Sequence, residues 1–127
     1  MKITTVLLIG LGGFIGTVLR YLTSVFLIKH SSTSMIPYGT FAVNILGCLI
    51  VGIVYGLSEK YQILTTQWRL FFVIGICGGY TTFSAFAYEN FAMLQQSNYT
   101  GFIVYSISSV VLCLLAVFAG LSLIKLL

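Results

Sequence analysis

Four long apolar stretches alternate with short polar breaks along the chain. They run from Thr4 to Ile28, Pro37 to Leu57, Leu70 to Leu94 and Tyr99 to Ile124. At about 1.5 Å of rise per residue, each is long enough as a helix to cross a hydrocarbon core about 30 Å thick. The first break passes through Lys29, His30 and Ser31 to Ser34. The second holds Ser58, Glu59, Lys60 and Thr65 to Gln67, and the third is Gln95 to Asn98. Breaks this short make neighbouring helices antiparallel. The pattern predicts an all-α integral membrane fold, a single membrane domain over 1–127 with four transmembrane helices and both termini on one side. Tyr38, Tyr61, Trp68 and Tyr99 flank the spans, where aromatic belts form.

Composition strengthens this reading. Of 127 residues, 59% are hydrophobic and 6% charged, whereas a soluble domain carries about 25% charged residues. The net charge of +4 comes from scattered Lys and Arg residues, not from a basic stripe that would bind nucleic acid. The first apolar run is too long for the core of a secretory signal and reads as an uncleaved span. Lys2, Lys60, Arg69 and Lys125 collect on one side, against Lys29 and Arg20 on the other. The positive-inside rule then places the termini in the cytoplasm, by a margin small enough to admit insertion both ways. Cys48, Cys77 and Cys113 lie inside apolar runs without metal-ligand or redox spacing, and read as small residues packed between helices.

Polar groups at membrane depth are costly, so their positions inform. Asn44 sits mid-way along the second span, either as a hydrogen bond between helices or as part of a pathway. The third span reads Gly75-Ile76-Cys77-Gly78-Gly79-Tyr80-Thr81-Thr82-Phe83-Ser84-Ala85-Phe86. Adjacent glycines and adjacent β-branched threonines disfavour a continuous helix. A break is expected here, with freed peptide groups lining a site or cavity; a kink repaired by neighbouring helices is the alternative. Phe83 and Phe86 share a face if the helix resumes, as core residues or with their positive ring edges turned to an anion. Tyr105, Ser109 and Cys113 form a polar stripe at four-residue intervals, and Thr40 lies one turn before Asn44. Hydroxyls, an amide and ring edges, with no carboxylate at any span centre, suit a small anion better than a cation. Arg20 and Glu89 lie within spans, where snorkelling is the default; an Arg at a pore mouth also attracts anions. Gly12 and Gly16, Gly52 and Gly56, and Gly75 and Gly79 each put two small residues on one helix face, for packing within the chain or for dimer contact.

Together these segments resemble the Fluc/CrcB fluoride-channel family over essentially the whole chain. The resemblance is carried by Gly12-Gly13-Phe14-Ile15-Gly16 with Arg20-Tyr21, by Gly39-Thr40-Phe41-Ala42-Val43-Asn44 with Gly47, by the Gly75 to Phe86 run with Glu89, and by Tyr105 with Ser109. It implies a passive fluoride exporter in the cell's inner (plasma) membrane, an antiparallel dual-topology homodimer with two pores. By position, Phe83 and Phe86 resemble the family's phenylalanine box and Asn44 its pore-lining amide. Thr40, Ser84, Tyr105 and Ser109 fall on the polar path, and Arg20 at the vestibule. The backbone carbonyls of Gly78 and Thr81 resemble the ligands of a structural sodium ion at the dimer axis. Cys113 and Val117 depart from the hydroxyls often found further along the track, and Ala85 replaces a frequent threonine.

Two other classes share parts of this pattern. A small multidrug exporter also has four short helices, but needs a membrane-embedded carboxylate, and the first span has none. An accessory subunit of a larger membrane complex would use the same polar residues as helix glue. No nucleophile–base pair or metal set suggests an enzyme.

Overall fold

A computed structural model describes residues 2–30, 36–62 and 64–127. Helix α1 spans Ile3–His30 and α2 spans Tyr38–Tyr61. The third crossing is composite. It starts with α3 (Thr66–Leu70), widens into a π-helical stretch (Phe71–Cys77), tightens into one short turn, α4 (Gly78–Tyr80), breaks, and resumes as α5 (Phe83–Gln95). Helix α6 spans Tyr99–Leu126. The described residues contain no strand, and four helical segments, the third being Thr66–Gln95, are long and apolar enough to cross a membrane. The predicted first break falls largely on Ser31–Ser34, outside the described residues.

The ends of the helices follow from local chemistry. Thr65 caps α3 by accepting a hydrogen bond from the Trp68 amide. Between α5 and α6, Ser97 adopts the left-handed conformation (φ 56°). The amide of Asn98 then reaches back to the Met93 carbonyl at 2.9 Å, and that of Ser97 to Leu94 at 3.0 Å. This satisfies carbonyls left over at the end of α5. The Asn98 side chain starts α6 by accepting from the Gly101 amide at 3.0 Å. Helix α2 continues past Leu57, through Glu59 and Lys60, because both find partners at the end of α6. Lys60 Nζ donates to the Ile124 carbonyl at 3.3 Å, and Lys125 pairs with Glu59 at 3.4 Å. A lysine beside the last carbonyls of a helix also suits its dipole.

The glycine pairs set which helices touch. A Cβ on Gly12 would stand 3.0 Å from Gly75 Cα, and one on Gly79 would stand 2.5 Å from the Gly13 carbonyl oxygen. Helix α1 and the third crossing therefore run side by side in the same direction at near-backbone contact. On the other side of the molecule, Gly120 of α6 lies against Leu49 and Ile53 of α2, and Gly52 of α2 against Val117 and Leu121 of α6. All three pairs are used within the chain. Outward-facing apolar side chains such as Phe14, Val18, Ile107 and Phe118 are exposed, as a lipid-facing surface requires.

Candidate functional site

The gap in the third crossing falls between Tyr80 and Phe83. Thr81 and Thr82 are both extended, with φ/ψ of −84°/159° and −151°/111°. Thr81 turns back on the preceding turn, its amide and its hydroxyl each donating to the Cys77 carbonyl at 2.9 Å. Thr82 opens the next helix, its Oγ1 accepting from the Ala85 amide at 3.2 Å. Two peptide groups remain to be paired, and residues from other helices pair them. Asn44 of α2 accepts from the Thr82 amide through Oδ1 at 2.7 Å and donates through Nδ2 to the Thr82 carbonyl at 3.2 Å. The side-chain amide thereby copies the pairing a neighbouring β-strand would supply. Arg20 of α1 donates through Nη1 to the Thr81 carbonyl at 3.1 Å.

A groove of about 450 Å³ lies beside the gap, open along one side of the chain. Asn44, Gly78, Thr81, Phe83, Phe86 and Ser109 all line it. The rings of Phe83 and Phe86 are 5.7 Å apart and tilted by 42°, and Phe86 rests against Tyr105 at 5.2 Å. Phe83 stands at the rim, 79% exposed. Ser109 is buried, and its hydroxyl has no hydrogen-bond partner among the described residues. A buried unpaired hydroxyl costs roughly 1–3 kcal/mol, so its presence asks for an occupant or a role. One N–H of Asn44 is committed to Thr82, and its second has no partner among the described residues.

Not every residue singled out by sequence lies on the groove. Thr40 and Tyr105 stand behind it, both buried, and both hydroxyls donate to Glu89, at 2.6 Å to Oε1 and 2.7 Å to Oε2. Glu89 is thus turned inward and held on both oxygens instead of snorkelling. Arg20 likewise spends a donor on the break. Ser84 is exposed, with its hydroxyl 3.3 Å from that of Thr82. Sequence reasoning missed Asn90, which donates to the Phe86 carbonyl at 2.8 Å and accepts from Ser106 at 2.7 Å. The position of Asn90 one turn after Phe86 was the available signal.

The resemblance implies a sodium site at the backbone carbonyls of Gly78 and Thr81. Because Thr82 donates to Asn44, the Gly78 carbonyl loses the amide four residues on that would pair it in a helix. Gly78 is exposed on the groove. The Thr81 carbonyl keeps a lone pair beyond the one Arg20 uses. Hard carbonyl oxygens suit such a cation, and no group of three or more His, Cys, Asp or Glu side chains among the described residues competes for it. Two carbonyls are too few to enclose an ion, so the fit requires further oxygen ligands.

These features define a class: an all-helical, multi-pass membrane protein whose third span breaks beside a groove with neutral donors. Residues 7–121 match the family described as CrcB-like protein, Camphor Resistance (CrcB). The chain is 45% identical over 117 residues to the fluoride-specific ion channel FluC of Phocaeicola vulgatus, covering 92% of this chain and 95% of that one. It is 43% identical over 121 residues to the protein of that name from Flavobacterium psychrophilum (95% and 97% covered), and 40% over 121 residues to that of Leptospira interrogans (95% and 94% covered). The chain belongs to the CrcB family. It is a membrane protein and not an enzyme.

The geometry separates two roles. Replacing Asn44 by Ala unpartners both peptide groups of Thr82, and should cost about 2 kcal/mol or more. Replacing Ser109 by Ala removes a hydroxyl without a partner and should leave stability unchanged or raised. Thermal unfolding in detergent checks both. Equal losses would contradict this division.

Proposed function

We propose that this protein is a fluoride channel that lets the ion leave the cell passively. The observation that carries this reading is the buried hydroxyl of Ser109, without a partner among the described residues, on a residue that lines the same groove as Asn44, Phe83 and Phe86. A small, strongly hydrated anion enters protein only where close donors replace its water. Hydroxyl, amide and ring edges do so without a fixed positive charge that would trap it. The two charges near the site are already engaged, Arg20 with a carbonyl and Glu89 with two hydroxyls. The names of the relatives point the same way.

The finer arrangement follows from what one chain lacks. The groove is open along one side and Phe83 projects from its rim. A second copy in opposed orientation would close the groove, giving a homodimer with two paths in the plasma membrane. Gly78 and Thr81 carbonyls from both copies would hold a sodium ion, whose charge favours an anion nearby. Within this chain, Asn44 and Arg20 keep those carbonyls at the break.

Proteoliposomes of the purified protein should release fluoride and retain chloride. Phe83→Ile and Phe86→Ile keep apolar bulk but lose the ring edge, so each should lower fluoride flux per folded protein at least about tenfold while the size-exclusion profile is kept. Equal release of chloride and fluoride would overturn the reading. The opposed dimer is tested by a cysteine added after Leu127 and labelled in intact cells: part of the population should react. Reaction of all of it, or none, would contradict dual insertion.

A further inference from the structure

Two thiols meet in the wall of the groove. Cys48 on α2 and Cys113 on α6 both line it, at the same level of two parallel helices. Both are free and partly exposed. The helices carrying them cannot easily separate, because Gly52, one turn after Cys48, is in near-backbone contact with Val117, one turn after Cys113. Cys77 also lines the groove but is buried, and no three-ligand group of His, Cys, Asp or Glu occurs among the described residues. Each thiol sits one helical turn after a groove donor: Cys48 after Asn44, and Cys113 after Ser109.

We propose that Cys48 and Cys113 form a two-coordinate site for a soft, thiophilic cation of the Hg²⁺, Ag⁺ and Cu⁺ class. Ligand number and softness decide the class. Zinc is held by three or four protein ligands, and magnesium or calcium by oxygens. Thiolates select soft ions. Binding exchanges two S–H bonds for two metal–sulfur bonds and releases two protons, with no change of oxidation state. With Hg²⁺ the product is neutral, and with Ag⁺ or Cu⁺ it carries one negative charge. Either product fills the groove beside Asn44 and Ser109, and so obstructs an anion there. The metal site stands on the thiol geometry alone; the obstruction rests on the channel reading.

The test uses full-length protein carrying Cys77→Ser, in chloride-free vesicles, with Hg²⁺ as the probe. One Hg²⁺ per chain should protect both remaining thiols from maleimide. The pair should hold the ion against about a hundredfold excess of 2-mercaptoethanol, the advantage of two linked ligands. Adding Cys48→Ser or Cys113→Ser should abolish that retention while size-exclusion behaviour stays the same. A requirement for two Hg²⁺ per chain, or equal retention by the single-thiol variants, would overturn the site. In the same vesicles one equivalent should stop fluoride efflux in the Cys77→Ser protein only. Full occupancy with unchanged flux would overturn the obstruction. Vesicles that never conduct fluoride would count against the channel reading, while thiol protection still decides the site.

Discussion

Asn44 and the Thr82 peptide hold each other by two hydrogen bonds, and much of the site depends on that pair. Hydrocarbon offers no partner to an amide or a carbonyl, and each left unpaired there costs several kcal/mol. A hydrogen bond between transmembrane helices contributes only about 0.6–2 kcal/mol. Avoiding the unpaired groups is therefore the larger effect, and an unassisted gap would favour closing into a helix. Asn44 removes that cost at Thr82, and Arg20 removes it at Thr81. With the gap secured, α5 restarts at Phe83 and carries Phe83 and Phe86 to the groove. The released Gly78 carbonyl follows from the same pair, since the Thr82 amide is turned to Asn44 instead.

The remaining polar groups leave the groove with neutral donors. Glu89 is fixed on both oxygens by Thr40 and Tyr105, so hydroxyls that look free in the sequence are already spent. Asn90 ties the Phe86 carbonyl to Ser106 of α6, and steadies the turn that bears the ring. What stays available is the Ser109 hydroxyl and one N–H of Asn44. Behind this network, glycine contacts bind α1 to the third crossing and α2 to α6. Those contacts fix the distances on which the side-chain pairs depend.

The four crossings were legible because hydropathy at membrane depth leaves little choice of structure, and the Gly-Gly-Tyr-Thr-Thr run marked the break for the same reason. The π-helical stretch from Phe71 to Cys77 was not legible: nothing in its run of Phe, Val, Ile, Gly and Cys marks a wider turn. The glycine pairs announced close approach but not its partner, which depends on which helices end up adjacent. Asn44, Ser109, Phe83 and Phe86 could be placed on one site by spacing and resemblance. The pairing of Thr40 and Tyr105 with Glu89 could not, because it joins three helices at separations no local pattern encodes. The same holds for Cys48 and Cys113, which lie far apart in sequence and adjacent in space.

On the proposed channel reading, a fluoride ion sits on the groove between Asn44 and Ser109. The chain has three asparagines, Asn44, Asn90 and Asn98, so side-chain amide labelling of asparagine gives few NMR signals in lipid. Titration with fluoride should shift the side-chain amide of Asn44, which lines the groove and keeps one N–H without a partner among the described residues. It should leave Asn90 unmoved, because that buried side chain does not line the groove, and chloride should shift neither. An Asn44 signal indifferent to fluoride, or moved equally by chloride, would contradict the account.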